Sequence, residues 1–462
     1  MLHRREEIEV VIEKVAFGGQ GIAHHGNFVL FVENALPGDW MKVRLRKVKK
    51  SHAFAYPIEL IEPSQLRIEA PCSHFGYCGG CKWQNLDYQI QLNFKKQLVI
   101  ESLEHIGNIH PEVVRDVIPS PRIFGYRNKM EFSFCDNRWL PPDELKNPEI
   151  RKNNLSIGLH IPGYFDRIID IEKCWLQDDR LNRILQLSKE FFKKDKIPVY
   201  HNQKHEGILR YLVLRQSVAF DQIMVNIVTF RSIQDKLDDF AHKLIKEIPE
   251  IISIINGVNS RFAQVATCDQ EFCIFGEKII KEKLGDYVFE ISANSFFQTN
   301  SLQAKNLYQT VKDFTDIEGK IVWDLYSGTG SIAIFLSDIA KKIIGFEILE
   351  DSVKDAQKNA KINQVSNCEF ISGDLRFSLE KFSHELPDII ICDPPRSGMH
   401  PKVLDIILKI APHNIIYVSC NPTTLARDLM ILNEKYKLRE VQPLDMFPHT
   451  YHIESVCRLE KK

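Results

Sequence analysis

The stretch Ile321-Val322-Trp323-Asp324-Leu325-Tyr326-Ser327-Gly328-Thr329-Gly330-Ser331 decides the fold of the chain's last third. A short apolar run stopping at a glycine turn reads as a buried strand, and Ile332 to Ile339 behind it reads as the helix it feeds. A second strand, Ile343-Ile344-Gly345-Phe346, ends in Glu347. An acid about twenty residues beyond such a turn is placed to meet ribose hydroxyls in the nucleoside-binding half of a doubly wound sheet. A glycine turn alone is weak. Here it is followed by Phe370-Ile371-Ser372-Gly373-Asp374, by Ile389-Ile390-Ile391-Cys392-Asp393-Pro394-Pro395-Arg396 and by Ile415-Ile416-Tyr417-Val418-Ser419-Cys420-Asn421-Pro422. Each run ends in a polar group at the carboxyl end of a strand, where open α/β sheets bind ligands, so the pattern predicts a ligand-binding Rossmann-like domain.

Asn421 then Pro422 reads as a helix N-cap and the first helical position, which sets Cys420 where a strand meets a helix. The positive end of a helix favours an anion, so this address predicts a thiol drawn toward thiolate from its usual value near ~8.5. Taken alone, Cys420 reads more readily as an ordinary buried cysteine. Its company changes that balance.

Upstream, residues 8 to 61 alternate short apolar runs (Ile8 to Val15, Phe28 to Val32, Met41 to Val48, Tyr56 to Ile61) with Gly and Pro punctuation. Five or so short strands predict a closed β-barrel of the OB type. One strand carries Lys42, Arg44, Arg46, Lys47, Lys49 and Lys50 with no acid among them, a candidate RNA-backbone patch or a solvated face. Net charge of -1 excludes a uniformly basic surface, so nucleic-acid contact must come from such local patches.

The start of the chain lacks the apolar segment of a secretion signal and no later run suits a bilayer span, so a cytosolic protein with no membrane association is expected. Eleven cysteines, an odd number, then speak for reduced thiols, metal ligation or catalysis and against a disulfide framework. The densest cluster is Pro71-Cys72-Ser73-His74-Phe75-Gly76-Tyr77-Cys78-Gly79-Gly80-Cys81. Its spacing differs from that of radical S-adenosylmethionine enzymes. Three clustered thiols with a remote fourth suit a four-iron cluster better than zinc, whose structural sites come as paired knuckles; zinc and no metal stay open. From about Leu86 to Glu290, helical stretches (Tyr88 to His105, Leu181 to Lys194, Ile233 to Ile248) alternate with strand-like ones, an α+β pattern. Asn137 to Asn154 reads as a surface loop.

Asp324-Leu325-Tyr326-Ser327-Gly328-Thr329-Gly330, Asp393-Pro394-Pro395-Arg396 and Ser419-Cys420-Asn421-Pro422 together resemble the S-adenosylmethionine-dependent RNA uracil-5-methyltransferase family. Phe17-Gly18-Gly19-Gln20-Gly21 with the basic strand resembles a TRAM domain, an RNA-binding module, so the likeness extends over almost the whole chain. It is nearest to the iron-sulfur-containing 23S rRNA branch, because the tRNA-specific branch lacks the cluster. The resemblance implies Cys72, Cys78, Cys81 and Cys174 as ligands of a [4Fe-4S] cluster. It puts Gln298, Tyr326, Glu347, Asp374 and Asp393 on cofactor or substrate-pocket positions, Cys420 on the nucleophile and Glu454 on the general base. Ser331 departs from the pattern, standing where a relative has Asn. The implied organisation is a TRAM-like barrel over 1–63, a central α+β domain with the cluster over 64–290 and a class I methyltransferase domain over 291–462, in a monomer.

The chemistry explains these residue types. C5 of uracil is too poor a nucleophile to take a sulfonium methyl, but a thiolate added at C6 turns the ring into an enolate, and the C5 proton must then leave to a carboxylate. Arg396, after the paired prolines, replaces the aromatic found in many amino-methylating enzymes, and Phe296 offers a stacking surface for an everted base. Cytosine-5 methylation of RNA, tRNA as substrate, and an inactive RNA-binding assembly factor are the alternatives.

Overall fold

The computed structural model describes the whole chain except residues 1, 148–149, 151–153, 165 and 383–384. Part of the loop expected over Asn137 to Asn154 therefore lies outside the described residues, and a short helix, Pro142–Leu145, occurs within it.

Along Trp40–Val48, Met41, Val43 and Leu45 are buried and their neighbours are not, the period of a strand with one face in a core. Six such strands form one sheet in the order Glu7–Val11, Trp40–Val48, His52–Glu62, Phe28–Val32, Gly21–His25, Lys14–Val15. The first and last are successive pieces of one bent segment, so the sheet returns on itself around Val10, Ile12, Leu30, Val32 and Leu45. Gly21–His25 is absent from the expected strands because it has few apolar residues. The acid missing from the basic strand is supplied by its neighbour: Lys42 Nζ and Arg44 Nη2 lie 2.9 and 2.5 Å from the Glu7 carboxylate. Exposed basic surface is thereby shifted toward Arg46, Lys47, Lys49 and Lys50.

The central sheet has seven strands, in the order Ile168–Asp170, Ser156–His160, Lys129–Cys135, Leu209–Gln216, Ile223–Thr229, Ile251–Val258, Gln270–Gly276. Helix Asp179–Asp195, capped by the Asp178 carboxylate on the Arg180 N–H, lays Leu181, Ile184, Leu185 and Phe192 into the core of Phe132, Phe134 and Phe240.

The C-terminal sheet has eight strands: Cys368–Ser372, Lys342–Glu347, Ile321–Leu325, Ile389–Cys392, Asn414–Ser419, Glu454–Lys461, Tyr436–Leu444 and Val113–Val114. The first five are parallel, while Glu454–Lys461 runs against both of its neighbours. Strand order reverses beside Ile321–Leu325, the place where a doubly wound sheet opens a crevice. The helix expected over Ile332 to Ile339 stops at Leu336, where the Ser337 hydroxyl donates to the Ile334 carbonyl at 2.7 Å. Two earlier pieces join this domain's cores. Helix Tyr88–His105 packs Leu92, Val99 and Leu103 with Leu425, Ala426 and Leu429. The hairpin Ile279–Leu284 and Tyr287–Ser292 packs Ile280, Leu284 and Phe289 with Leu307 and Val322. No described helix is long and apolar enough to cross a membrane.

Candidate active site

Tyr326 leaves its strand with φ of 65°, a left-handed conformation that turns the chain at the sheet edge. Gly330 has φ of 76°, and a Cβ there would stand 2.7 Å from the Phe370 ring, so this corner of the turn has no room for a side chain. Glu347 clasps the turn from the next strand, its carboxylate accepting the Gly328 N–H at 3.1 Å and the Leu349 N–H at 2.9 Å. Asp374 accepts the Arg376 N–H at 2.9 Å as the cap of Leu375–Ser378, and the Arg376 side chain holds its carboxyl down at about 2. Tyr326, Glu347 and Asp374 line one cavity of about 450 Å3 with Phe346, Met399 and His400. Two buried polar groups beside the turn, the Asp324 carboxylate and the Ser327 hydroxyl, have no well-formed hydrogen bond. Burial, then the like charge of Asp393, push the Asp324 carboxyl well up, only weakly opposed by the nearby Ala333 N–H. A polar ligand suits such a place.

Gln298 and Asp393 stand outside that cavity's lining. The Gln298 side chain bonds the Tyr308 hydroxyl, which lies 2.8 Å from the Ser331 hydroxyl. The serine that departs from the family pattern is thus tied to Gln298 through Tyr308. Phe296, 65% exposed, sits beside the turn with its carbonyl accepting from Thr329.

Because Glu454–Lys461 is antiparallel to Asn414–Ser419, its first residue reaches the edge at which the parallel strands end. Ser419 pairs with Ser455, which brings Glu454 beside Cys420, while Asp393 follows the adjacent strand Ile389–Cys392. Burial, then the like charges of Glu454 and Asp393, push the Cys420 thiol up to about 12 against the pull of Arg396. The expected drift toward thiolate is therefore reversed: helix Pro422–Leu432 does start beside the sulfur, but its field is outweighed by burial and two acids from remote positions. Burial also raises Asp393 to about 7 and Glu454 well above the ordinary carboxyl range. Asn421 caps the helix through the Thr423 N–H at 3.0 Å and donates to the Arg396 carbonyl at 3.0 Å, tying the helix after Cys420 to the Asp393 loop.

Asp428 was not singled out in the sequence. It is fully buried and accepts the Tyr417 hydroxyl and the Met399 N–H, each at 2.7 Å, so it braces the wall of the cavity from the helix after Cys420. Its signal was an acid among Leu425, Ala426, Leu429 and Leu432, the apolar face of one helix.

Cys72, Cys78, Cys81 and Cys174 all line a second cavity, of about 560 Å3, together with Arg127. Each sulfur receives N–H groups: Gly80 on Cys78 at 3.4 Å, the Gln84 amide on Cys81 at 3.2 Å, His74 and Phe75 on Cys72, Leu176 and Gln177 on Cys174. Accepting an N–H is not peculiar to these four, since Cys268 and Cys135 accept from Asn226 and Asn137, whereas Cys368 and Cys392 donate to the carbonyls of Ala333 and Ile416. Among the described residues no three His, Cys, Asp or Glu side chains are gathered to hold a single metal ion.

The segment leading to Glu454 is held from several sides. Lys95 Nζ donates to Asp445 Oδ1 at 2.6 Å and to the Phe447 carbonyl at 3.0 Å. The Tyr126 hydroxyl donates to the Pro448 carbonyl at 3.2 Å. Both members of the Lys95–Asp445 pair are fully buried, so Lys95→Ala is expected to leave an uncompensated charge and cost about 3–5 kcal/mol, seen as a lower guanidinium midpoint. Burial holds His449 and His452 down at about 4 and 3, so both rings are neutral.

Comparison with known proteins agrees with this architecture. The family model described as tRNA (uracil-5-)-methyltransferase matches residues 169–462, and the TRAM domain model matches residues 2–58. An uncharacterized RNA methyltransferase of Chlorobaculum tepidum is 41% identical over 92% of this chain and 90% of its own. One of Bacteroides thetaiotaomicron is 39% identical over 96% of this chain and 100% of its own. Among solved structures, the Pyrococcus abyssi tRNA (uracil-54, C5)-methyltransferase in complex with S-adenosyl-L-homocysteine superposes with a TM-score of 0.74 at 31% identity, covering 98% of this chain and 100% of that one.

Proposed function

Because the chain belongs to the S-adenosylmethionine-dependent RNA uracil-5-methyltransferase family, we propose that it methylates C5 of a uridine in 23S rRNA through a transient bond between Cys420 and C6. The observation that carries this is the meeting of a strand-end thiol with a buried carboxylic acid across the Ser419–Ser455 pair.

In this scheme the everted uracil rests on Phe296. Cys420 gives up its S–H proton to solvent, the thiolate being stabilised by Arg396 and the amino end of Pro422–Leu432, and Sγ then forms a bond to C6 as the C5=C6 electrons move toward O4. The cofactor, when bound, supplies an electrophilic methyl group to C5. Glu454 then accepts the C5 proton, the electrons of that C–H bond restore C5=C6, and the C6–S bond breaks to release the thiolate. A carboxylate whose proton affinity burial has raised is a stronger base than an exposed one, which suits Glu454 to this step. Asp393 holds the uracil edge. Tyr326, Glu347, Asp374 and Gln298 hold the cofactor, and the buried, poorly satisfied Asp324 and Ser327 beside the glycine turn support a polar ligand there.

Cys72, Cys78, Cys81 and Cys174 would hold a [4Fe-4S] cluster. In support, all four sulfurs line one cavity, and Arg127 in its wall offers positive charge to an anionic cluster. The cluster's part is structural, since methyl transfer moves no net electron. Anaerobically purified protein is expected to be brown, with about four iron and four sulfide per chain, lost in Cys81→Ser; colourless protein holding one zinc would refute the cluster.

A tRNA uridine is the second reading, favoured by the likeness to the Pyrococcus abyssi tRNA enzyme. Incubation with labelled cofactor and unmodified RNA decides: 5-methyluridine in 23S rRNA is expected, methylation of tRNA alone selects the second reading, and 5-methylcytidine sinks both.

A further inference from the structure

We propose that His449 is a positioning residue that couples the four-cysteine site to Glu454, so that the occupied site sets the step in which the C5 proton leaves. The inference rests on the role given to Glu454 above.

Both cysteine segments reach His449. Directly after Cys81, the N–H groups of Lys82 and Trp83 donate to the His449 carbonyl at 2.9 and 3.0 Å. Directly after Cys174, Trp175 packs edge-on against Phe124, and Phe124 stacks on the His449 ring with centroids 4.3 Å apart. The Trp175 and Leu176 carbonyls accept N–H groups from Gly125 and Arg127 at 2.9 and 2.8 Å, locking the two segments together. Gln91 closes the bracket: its side-chain carbonyl accepts the His449 N–H at 2.9 Å and its amide lies 3.2 Å from the ring.

His449 has φ of 65°, a strained conformation for a residue with a side chain. Such strain persists only where surrounding contacts over-determine it. The chain from His449 to Glu454 is short and internally tied, Thr450 donating to the Phe447 carbonyl and accepting the His452 N–H. A shift at His449 is therefore passed on to Glu454 with little slack. Cys72 to Lys82 contains no helix or strand and is tied toward Cys174 by few contacts, the Glu172 N–H on the His74 ring and the Gly79 N–H on the His160 carbonyl, each at 3.0 Å, so bonds at Cys72, Cys78 and Cys81 would add the ties that fix its far end. Removing them loosens the bracket around His449 and leaves the Cys420 strand, held by sheet pairing, where it was.

The test compares the iron-loaded full-length protein with the same protein depleted anaerobically by chelator and reductant. Depletion is expected to speed amide exchange over 449–453 at least tenfold, to leave cofactor affinity within twofold, and to let the methylated RNA–protein adduct accumulate because its release slows at least tenfold. His449→Gly, which keeps the backbone conformation but loses the ring, and Gln91→Leu are expected to reproduce the slow release with iron in place. Unchanged exchange on depletion, equal slowing of adduct formation and release, or failure to bind any metal would each overturn the coupling. If the loaded wild-type protein forms no adduct at all, the scheme for Cys420 fails, and the exchange measurement alone decides the coupling.

Discussion

Cys420→Ala is expected to lower single-turnover methyl transfer on the order of 10⁴-fold or more, with cofactor affinity unchanged. The loss is this large because the thiol supplies a route and not merely a contact. Without a bond at C6, the C5 carbon keeps the low nucleophilicity of an unactivated uracil, and no rearrangement of Glu454 or Asp393 replaces that bond. Cofactor affinity is spared because the residues of the 450 Å3 cavity lie on other strand ends. An RNA carrying 5-fluorouridine, which has no C5 proton to give up, is expected to be trapped by the wild-type protein and ignored by Cys420→Ala on a denaturing gel. The thiol's elevated position near 12 gives the pH dependence a definite sign. The reactive form is the deprotonated one, scarce at neutral pH, so adduct formation in the wild-type protein should rise about tenfold per pH unit from 7 to 9. A plateau near 8.5 would mean an unperturbed thiol. Wild-type rates in Cys420→Ala would end the covalent scheme.

Glu454→Gln is expected to separate the two halves of the reaction. Amide in place of carboxylate removes the proposed acceptor of the C5 proton while preserving shape, so turnover should fall by about 10²- to 10⁴-fold. Adduct formation should not fall with it. Glu454 is one of the groups that raise the Cys420 thiol, and removing its charge lowers that thiol and makes the thiolate more available at neutral pH. The variant should therefore build up methylated RNA bound to Cys420, visible by mass spectrometry on ordinary RNA with no fluorinated analogue. Normal turnover, or loss of the adduct together with turnover, would take the base role away from Glu454.

Much of the C-terminal sheet was legible because its strands are apolar runs cut off by glycine, proline or acid. Ile321 to Leu325 and Ile389 to Cys392 needed nothing from outside their own windows. Helix Tyr88–His105 was equally plain as a helix, but its partners Leu425, Ala426 and Leu429 lie more than three hundred residues on, so its place against the C-terminal sheet was not. The address of Cys420 could be read from Asn421-Pro422, whereas its proton affinity could not, since the deciding acids arrive from positions 393 and 454. The basic strand Trp40–Val48 was legible only in part, because Glu7 pairs with Lys42 and Arg44 across a strand pairing and not along the chain, which leaves the exposed charge toward Arg46 to Lys50. The place of His449 was not legible, because its partners, Lys82, Trp83, Gln91 and Phe124, are gathered only by the folded chain.

The reversed direction of Glu454–Lys461 has one more effect. A thiol that ends one strand and an acid that begins the next keep their facing only while the two strands stay in step. Side chains alternate between faces of a sheet, so sliding Glu454–Lys461 by one residue would turn Glu454 to the far side and bring Ser455 or Ile453 opposite the sulfur. An enzyme whose last hairpin lengthened by a single amino acid could thus fold, bind its RNA and cofactor, and bond to its substrate without ever letting go: a permanent trap made from a catalyst by one misplaced codon.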